Sequence, residues 1–428
     1  MTSPTIAIIG AGPAGCMLAR LLTLSNVPVT IYESDISPDY RAQGGTLDLH
    51  VKTGLAAIRE AQLFDEFTKH ARYDGDYYNL TDKNFKTLLT FGPSKGSNME
   101  RPEIDRSDLR KLLTESLPEG TIKWGRRLLR IEGSPDEENS KTLVFADGST
   151  ATGFSLIVGA EGAWSKVRNY LTDIRPQHTG VGYTLLEIPD AATTAPELHK
   201  LVRGGNLFSS NRHQRLSVQQ LGSGSLHVGW SAQRPENWMD PSHADSVGYD
   251  PRDLEASRAG ILREMDGWDP RLRAAVERAW GKCDPKNLYM LPVGWRWAHR
   301  PGVTVIGDAA HLMTPFAGEG VNLAFDDARK LARAVVGAAS RGGAQPSGRE
   351  QLLDKAAADF EEDMWVRMEK YQRLTHNVTQ LWMFSDDIHS IIPDFIMEHL
   401  KPETPVLLHP LAWLAVHGWW KARSLIWG

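Results

Sequence analysis

The sequence predicts an α/β fold in which a parallel sheet is interrupted by an inserted antiparallel sheet and followed by a long C-terminal helix. Three observations predict this arrangement. Buried strands that end in tight glycine turns recur at 10–15, 159–162 and 307–320, as in the strand–turn–helix units of a parallel sheet. Segments that alternate apolar and polar residues lie between about 180 and 230, which is typical of an antiparallel sheet with two unlike faces. A continuous helical pattern follows at about 350–379.

The first glycine turn carries the strongest motif. An apolar run ending at Ile9 is followed by three spaced glycines and by an amphipathic helix. Gly10 permits the tight turn, Gly12 lets the backbone approach a phosphate, and Gly15 lets the helix pack closely on the strand. A second strand ends at Glu33, near the distance at which an acidic side chain binds a ribose hydroxyl. The spacing therefore predicts a Rossmann-like dinucleotide site with the pyrophosphate at the positive end of the helix.

The composition excludes several classes of protein. With 428 residues, 41% of them hydrophobic and 24% charged, the chain has the size and composition of a globular protein of two domains with an appendage. The net charge of −5 makes neither nucleic acid nor an anionic membrane the obvious partner. Cys16 and Cys283 are too few and too far apart for a disulfide framework, and no metal-ligand spacing occurs. Because a strand begins almost at the first residue, we expect no signal peptide and a cytoplasmic protein, and we also expect a monomer.

Changes of pattern along the chain predict three regions. A dinucleotide-binding domain is interrupted by a substrate-binding domain, and a C-terminal region contains the long helix and an apolar tail. The predicted bounds are 1–75, 105–177 and 286–336 for the first domain, 76–104 and 178–285 for the second, and 350–428 for the C-terminal region.

Five motifs occur in a specific order. They are Gly10–Gly15, Gly44–His50, Pro102–Arg110, Gly159–Gly162 and Gly307–His311. In this order they resemble the group A flavoprotein monooxygenases, the family of para-hydroxybenzoate hydroxylase, and within it the tetracycline-inactivating monooxygenase TetX. The likeness covers about residues 5–335. It implies a fold of the para-hydroxybenzoate hydroxylase type, with FAD extended over the parallel sheet.

The resemblance assigns residues to FAD. Glu33 would bind the adenosine ribose and Asp308 the flavin-side ribose, while Asp48 and Arg106 would lie near the flavin or the pyrophosphate. The helix that opens at 318–322 would direct its positive end toward the pyrimidine edge of the flavin. The residues implied for FAD are Gly10, Gly12, Ala14, Gly15, Glu33, Asp48, Arg106, Asp308, Gly318, Gly320, Val321 and Asn322.

Some of these assignments have alternatives. Arg41 would contact NADPH by resemblance, although loop arginines are usually solvated. Asp308 is also a natural turn or cap residue after a glycine, and Asp48 could be an ordinary carboxylate at a strand end. Arg106 could form a surface ion pair with a neighbouring aspartate.

The substrate-facing positions differ from those of TetX. Leu185 stands where TetX has a glutamine that binds tetracycline, and Asn206 approximately where it has an arginine, whereas His227 matches a substrate-contacting histidine. Losing paired polar anchors argues against tetracycline as the substrate. The candidates for substrate contact are His227, Leu185, Asn206, Pro315 and Phe316. The alternative for His227 is a hydrogen bond within the sheet.

Other residues also allow two interpretations. The second glycine turn has Glu161 where the family usually has an aspartate. Trp230, Trp295 and Trp297 could line an aromatic pocket, but tryptophan more often lies in a core. For His311 we expect a buried ring that is bonded to the backbone.

The resemblance implies an FAD-dependent monooxygenase that uses NADPH and O2, by way of a flavin C4a-hydroperoxide. Its reaction would be hydroxylation, epoxidation or Baeyer–Villiger oxidation of a sizeable aromatic or apolar molecule, in the setting of secondary metabolite tailoring. No side chain is assigned as nucleophile, acid or base, because the cofactor itself carries the oxygen. Two alternatives remain open. One is a flavin oxidase or redox-neutral flavin cyclase on the same fold, and the other is a flavin- or ligand-binding protein without turnover.

The tail at 405–420 allows three interpretations. We expect it to pack against the core. It could instead cover the substrate mouth, or rest weakly at a membrane interface with its tryptophans, Lys421 and Arg423 at the headgroups. The apolar run is too short and interrupted to cross a membrane.

Overall fold

The structure, a computed structural model, describes residues 4–38, 44–73, 75, 77–92, 101–133, 141–341 and 346–427. Its strands are β1 (Ile6–Ile9), β2 (Val29–Tyr32), β3 (Thr46–Asp48), β4 (Tyr78–Asp82), β5 (Thr87–Phe91), β6 (Glu103–Asp105), β7 (Ile122–Lys123), β8 (Leu128–Glu132), β9 (Thr142–Phe145), β10 (Thr150–Ala151), β11 (Leu156–Gly159), β12 (Gln177–Ile188), β13 (Asn206–Asn211), β14 (Gln214–Gln220), β15 (Leu226–Gln233), β16 (Cys283–Met290) and β17 (Val303–Val305).

The helices alternate with these strands in the N-terminal half and dominate the C-terminal quarter. They are α1 (Pro13–Leu24), α2 (Gly54–Glu60), α3 (Phe64–His70), α4 (Arg106–Glu115), α5 (Lys166–Leu171), α6 (Ala191–Thr194), α7 (Pro196–Val202), α8 (Leu254–Glu264), α9 (Pro270–Glu277), α10 (Asp308–His311), α11 (Gly320–Arg341), α12 (Pro346–Phe384), α13 (Ile392–Leu400) and α14 (His409–Trp427). Short 3-10 turns occur at Pro315–Ala317, Lys401–Glu403 and Val406–Leu408.

The chain divides into two compact units, each assembled from three separated segments. The first unit comprises Met1–Ala71, Ile104–Gln177 and Tyr289–Gln372, and the second comprises Arg72–Glu103, His178–Leu288 and Arg373–Gly428. The C-terminal region is therefore shared between the two units, with the division inside the long helix α12.

The first unit is built on a five-stranded parallel sheet with the strand order β17-β11-β1-β2-β7. In the centre of the sheet, Ile8 lies opposite Val158 on one side and Ile31 on the other. Every residue of β1 and β11 is buried, as expected for central strands that are covered on both faces. Helices α1 and α11 pack against each other, and their apolar faces share one core with the strands. The predicted α/β fold is confirmed.

The second unit contains a seven-stranded sheet with the order β16-β12-β15-β14-β13-β4-β5. Strands β12, β15, β14 and β13 form consecutive antiparallel pairs, so the inserted antiparallel sheet is confirmed. Strand β4 pairs with β13 in parallel. The two strands come from distant segments of the chain, so no hairpin requires them to be antiparallel. One face carries cross-strand neighbours such as Leu186, Val228 and Val218, which form a core with residues of α8 and α9.

The three tryptophans with two interpretations lie in these cores. Trp295 and Trp297 are buried in the first unit, where the Trp297 indole N–H donates to Glu361 Oε1 at 3.2 Å. Trp230 lies on the apolar face of the seven-stranded sheet, and its indole N–H donates to Glu264 Oε2 at 2.9 Å. Core packing therefore accounts for all three side chains.

A buried network ties the end of β17 to helices α11 and α12. Asp327 Oδ2 lies 2.6 Å from His311 Nε2 and accepts from the Gly307 N–H at 3.1 Å, while Oδ1 accepts from Arg367 Nη1 at 2.8 Å. Burial alone would raise the pKa of Asp327, but the charges of His311 and Arg367 outweigh it and lower the pKa. The expected burial of His311 is confirmed, whereas its expected backbone partner is wrong, because the ring bonds to a carboxylate.

The C-terminal tail differs from the expectation. Helix α14 packs along α13, and the Trp420 indole N–H donates to His389 O at 3.1 Å. The large apolar side chains of Leu407, Leu411 and Leu414 are nevertheless exposed, so the expectation that the tail packs against the core is wrong for these residues. Within the described part of the chain, no helix is both long and apolar enough to cross a membrane.

Asp327→Asn should lower the free energy of unfolding by roughly 3 kcal/mol at neutral pH, because it removes a fully buried carboxylate that bonds both His311 and Arg367. Since the folded pKa of Asp327 is lowered, its contribution is present above the unfolded pKa of about 3.9. It is lost as the pH falls through the lower folded value. Urea unfolding of both proteins at several pH values measures the difference.

Asp363→Asn is the matched control, because Asp363 also binds Arg367, at 2.8 Å, but is half exposed. Its removal should cost about 0–1 kcal/mol. Equal losses in the two variants would contradict a special role for the buried carboxylate.

Candidate functional site

The carboxyl ends of the parallel strands bring distant residues to one edge of the sheet. Gly10 follows β1, Glu33 follows β2, and Glu161 comes just after β11. Asp308 opens α10 after β17 and its side chain is exposed. Ligands of open parallel sheets bind at this edge, so the fold places these sequence-predicted residues where a dinucleotide would lie.

The three glycines of the first turn differ in what surrounds them. A Cβ on Gly10 would lie 2.5 Å from Ala160 O, and one on Gly15 would lie 2.1 Å from Gly10 O. A Cβ on Gly12 would meet no atom closer than 3.9 Å, and the φ of Gly12 is −75°. Gly10 and Gly15 are therefore required by packing, whereas Gly12 faces open space at the start of α1.

The start of α1 is suited to an anion. No side chain caps the helix at Gly12, so the N–H groups of its first turn, which contains Ala14, have no partner within the helix. These N–H groups and the helix dipole together favour a phosphate.

Glu33 is held beside this turn. Its Oε2 accepts from the Ala11 N–H at 2.6 Å, and its Oε1 accepts from the Asp35 N–H at 2.8 Å. Asp35 in turn forms a buried ion pair with Arg110 at 2.8 Å. Arg106 opens α4 with an exposed side chain, and its backbone N–H donates to Gly45 O at 3.0 Å.

A second helix start, that of α11, lies next to the end of β3. Asn322 is fully buried. Its Oδ1 accepts from the His50 N–H at 2.8 Å, and its Nδ2 donates to Asp48 O at 3.0 Å. A Cβ on Gly318 would lie 3.6 Å from Asp48 Oδ1, whereas one on Gly320 would meet no atom within 4 Å. The first turn of α11 contains Gly320, Val321 and Asn322. The Asn322 side chain therefore links this turn to β3, the strand that carries Asp48.

Sequence reasoning missed two members of this neighbourhood. His50 Nε2 lies 3.0 Å from Asp48 Oδ2, and His50 Nδ1 lies 3.6 Å from Glu319 Oε2. All three side chains are partly exposed. His50 stands two residues after Asp48 in the Gly44–His50 motif, and that spacing on an extended strand could have indicated the pair.

Two further predicted residues need comment. Arg41 lies outside the described residues. Glu161 lies at the sheet edge, where Oε1 accepts from the Val167 N–H at 2.8 Å and Oε2 is buried without a hydrogen-bond partner. Burial raises the pKa of Glu161, and the hydrogen bonds from the backbone offset this only in part.

The substrate-contact candidates of the second unit share one face of its sheet. His227 lies opposite Gln219, and Gln219 lies opposite Asn206. Glu187 pairs with His227, and Leu185 lies two residues before Glu187 on the same strand. Because side chains alternate between faces, all of these lie on the face opposite the apolar core. The remaining candidates, Pro315 and Phe316, form the 3-10 turn before α11 in the first unit.

Asn206 already has a protein partner on this face. Its Nδ2 donates to Glu103 Oε1 at 2.9 Å, and Glu103 forms an ion pair with Arg72 at 2.8 Å. Contact between Asn206 and a substrate stays a prediction.

Another part of the same face carries a buried arginine that the sequence reasoning missed. The Arg215 guanidinium lies 4.8 Å from the Phe208 ring centroid and 4.4 Å from that of Trp382 on α12. Burial lowers the pKa of Arg215 to about 9. The C-terminal part of α12 therefore contacts the polar face of the sheet through an aromatic–cation stack.

Comparison with known proteins identifies the family. The model of the FAD binding domain family matches residues 3–362. The chain belongs to this family. Monooxygenase penA of Penicillium thymicola is 32% identical over 89% of this chain and 96% of its own length. The 6-hydroxynicotinate 3-monooxygenase of Bordetella bronchiseptica is 24% identical over 90% of this chain and 96% of its own. The protein is thus an FAD-dependent monooxygenase, and FAD is its cofactor.

Solved structures of flavin monooxygenases share its fold. A putative FAD-containing monooxygenase from Photorhabdus luminescens has a TM-score of 0.72 and 25% identity, over 89% of this chain and 99% of its own. The tetracycline destructase Tet(55) has a TM-score of 0.64 and 18% identity, over 90% and 91%. The resemblance to group A monooxygenases is confirmed, and the likeness to Tet(55) is one of fold.

The residues present fit FAD. The open space at Gly12 suits a pyrophosphate, the carboxylates of Glu33 and Asp308 flank the sheet edge, and the start of α11 at Gly320 is unobstructed. A second helix N-terminus offers favourable electrostatics for a flavin ring that becomes negatively charged on reduction.

Gly12→Ala should leave the fold intact but deplete the purified protein of flavin, because the new methyl group enters only the space that suits a phosphate. Its flavin-to-protein ratio should fall well below that of the wild type, while the unfolding free energy of the FAD-free proteins should agree within about 1 kcal/mol. Absorbance at 450 nm and denaturant unfolding measure the two quantities.

Gly15→Ala is the matched control. Its methyl group meets the backbone of Gly10 and should cost about 3 kcal/mol of stability. A Gly12→Ala protein with full flavin content would exclude the pyrophosphate from this turn.

Glu161→Gln should raise the midpoint of thermal unfolding at pH 8, because it replaces a buried carboxylate by a neutral amide. The folded pKa of Glu161 is raised, so its carboxylate becomes less favourable to stability as the pH rises through that value. The advantage of the variant should therefore vanish near pH 4, and Glu132→Gln, at an exposed carboxylate, should show no such trend. A midpoint difference that does not change with pH would contradict the burial argument.

Proposed function

We propose that the protein uses NADPH and O2 to insert one oxygen atom into a sizeable aromatic or apolar small molecule, as a tailoring step of secondary metabolism. The reaction is a hydroxylation, an epoxidation or a Baeyer–Villiger oxidation, and the protein acts as a cytoplasmic monomer. One observation carries the proposal. At two helix starts a Cβ would meet no atom closer than 3.9 Å on Gly12 and no atom within 4 Å on Gly320, in a chain that belongs to the FAD-dependent monooxygenases.

Bound FAD supplies hydride acceptance from NADPH and activation of O2. We assign the adenosine ribose to Glu33 and the flavin-side ribose to Asp308, since both carboxylates follow strands of the parallel sheet at its carboxyl edge, on either side of β1 and β11. Arg106 contributes positive charge near the cofactor, and Arg41 contacts NADPH. The roles of Glu33, Asp308 and Arg106 rest on their positions and on the family likeness, and that of Arg41 rests on the family likeness alone.

The start of α11 supplies electrostatic stabilisation. The first-turn N–H groups of Gly320, Val321 and Asn322 carry the positive end of a 22-residue helix. An anion that develops nearby is stabilised without a mobile cation, since these dipoles are already oriented. The Asn322 side chain keeps the dipoles in place through its bonds to the backbone of β3 and the residue after it.

Three side chains beside this helix start can hold a proton. The His50 ring lies between the carboxylates of Asp48 and Glu319. A proton on either ring nitrogen therefore has a carboxylate oxygen beside it. We propose that this trio accepts or donates the proton that oxygen transfer requires, at His50 Nε2.

The substrate is recognised more by shape than by polar anchors. Leu185 offers no hydrogen bond, and the Asn206 amide is bonded to Glu103. We assign His227 to a polar contact with the substrate, because it matches a substrate-contacting histidine of the family. The Bordetella relative acts on an aromatic heterocycle, as its name states, which supports an aromatic substrate here.

The purified protein should show a flavin spectrum that bleaches under anaerobic addition of NADPH, and faster with NADPH than with NADH. Stopped-flow absorbance at 450 nm measures the rate, with and without aromatic candidates that trigger reduction. Readmission of air should restore the band. With a true substrate, product mass should increase by one oxygen atom, and His50→Asn should slow turnover while leaving flavin content unchanged.

Other outcomes separate the alternatives. A flavin band that persists with NADPH but bleaches with an organic substrate alone indicates an oxidase. Conversion of a substrate without net redox change indicates a cyclase. Tight ligand binding with no NADPH consumption indicates a binding protein, and each of these results overturns the proposal.

A further inference from the structure

Helix α14 turns an apolar side away from the protein. Leu411, Leu414, Gly418 and Leu425 recur at intervals of three, four and seven residues, so they lie along one side of the helix. Leu411 is 65% exposed, Leu414 62% and Leu425 81%. The preceding turn adds Val406 and Leu407, at 77% and 91%. This set, which we name the outer apolar face, consists of Val406, Leu407, Leu411, Leu414 and Leu425.

The other side of the helix, which includes the partly buried Ala412, Val416 and Trp420, contacts the rest of the second unit. The Trp420 indole N–H donates to His389 O at 3.1 Å, and His417 Nε2 lies 3.5 Å from Asp394 Oδ1. The helix is therefore apolar on both sides, whereas a helix that lies on a protein surface normally has one apolar side, directed inward, and a polar side toward solvent. Single exposed apolar residues need no explanation, but a continuous row of this kind indicates an interaction surface.

The charge of the tail differs from that of the whole chain. Residues 404–428 contain Lys421 and Arg423 and no acidic residue, whereas the net charge of the protein is −5. The Arg423 guanidinium lies 5.5 Å from the Trp419 ring centroid and 5.7 Å from that of Trp420. Tryptophan together with basic side chains at one end of an apolar helix is the composition that favours the headgroup region of a bilayer.

A second copy of the chain fits this side of the helix less well. Pairing of two such helices would need apolar residues at alternating intervals of three and four. Those intervals give Leu411, Leu414, Gly418, Lys421 and Leu425, so the seam would contain a residue without a side chain and a charge. At a lipid surface the lysine extends to the headgroups while its neighbours remain in the apolar layer.

We propose that α14 and the turn before it bind the surface of anionic phospholipid membranes, with the outer apolar face directed into the boundary of the acyl layer. Lys421, which lies along the outer apolar face, contacts the lipid phosphates. The attachment is peripheral and reversible, because one short apolar face and one adjacent basic residue provide only modest affinity. The proposal does not depend on the substrate or the reaction.

Flotation of the full-length flavoprotein with vesicles tests the proposal. Vesicles of phosphatidylcholine alone are compared with mixed vesicles in which about 30% of the lipid is phosphatidylserine. The wild type should float with the mixed vesicles, less with the neutral ones, and less as the salt concentration rises. Wild-type protein that stays in solution with mixed vesicles at low salt would overturn the proposal.

Two sets of substitutions locate the contact. Leu411→Glu with Leu414→Glu should weaken partitioning by about tenfold or more, because carboxylates replace the inserted side chains. Lys421→Gln should weaken binding to the mixed vesicles by about fivefold and change binding to neutral vesicles little. Arg423→Gln should weaken it less, because Arg423 lies on the side of the helix away from the outer apolar face. Val366→Glu is the matched control, since Val366 is an exposed apolar residue of α12, 67% exposed, and should leave partitioning unchanged.

Folding and self-association are measured on the same proteins. Flavin absorbance and circular dichroism should agree between Leu411→Glu/Leu414→Glu and the wild type. A dimer in light scattering that these two substitutions convert to a monomer would assign the outer apolar face to a second copy and overturn the proposal. Flavin bleaching by NADPH is recorded separately, so failure of lipid binding is distinguishable from failure of the proposed reaction.

Discussion

The close approach of three backbone segments at Gly10, Gly15 and Ala160 is the constraint on which the first unit depends. The distances leave no room for a Cβ on either glycine, so α1 lies directly on the ends of β1 and β11. This contact fixes the direction in which the helix points. Its first-turn N–H groups consequently face the carboxyl edge of the sheet. Glu33 and Asp308 lie at the same edge, because each follows a strand of this parallel sheet.

The other parts of the site are attached to this edge by polar ties. Asp327 fastens the Gly307 backbone to α11 and α12, and Asn322 fastens the start of α11 to the backbone of Asp48 and His50. Both side chains are buried and fully engaged, which makes such ties directional as well as stabilising. The Asn322 amide thus joins segments that are separated by more than 250 residues, together with the ion pair between Arg333 and Glu60.

The sequence was informative where backbone sterics decide the structure. The glycine turn of β1, the parallel sheet and the antiparallel sheet could all be predicted, because spacing and alternation are local properties. The parallel pairing of β4 with β13 could not, since it joins segments that are distant in sequence. The His50–Asp48–Glu319 trio was missed for the same reason: Glu319 lies 269 residues beyond His50. The hydrogen bond between Asn206 and Glu103 could not be predicted either, because the two residues are distant in sequence.

The tail shows the limit of arguments from hydropathy alone. Apolar residues at helical intervals predict a buried side, and the pattern of α14 does not say whether protein or lipid buries it. The contact of Trp420 with His389 O indicates the orientation, because Trp420 lies on the side of the helix away from Leu411 and Leu414.

The polar face of the second unit constrains what the proposed enzyme can discriminate. A hydrophobic position such as Leu185 distinguishes substrates by only about 10–200-fold for each added or missing methylene, whereas a site that must satisfy a polar group rejects analogues far more strongly. The Asn206 amide is bonded to Glu103, and His227 is predicted as a polar anchor on this face because it matches a substrate-contacting histidine of the family. Under the proposed function, the hydrogen bond between His227 and the substrate then determines most of the substrate selectivity. The enzyme should accept variation in the apolar part of its substrate and reject loss of the group that His227 binds.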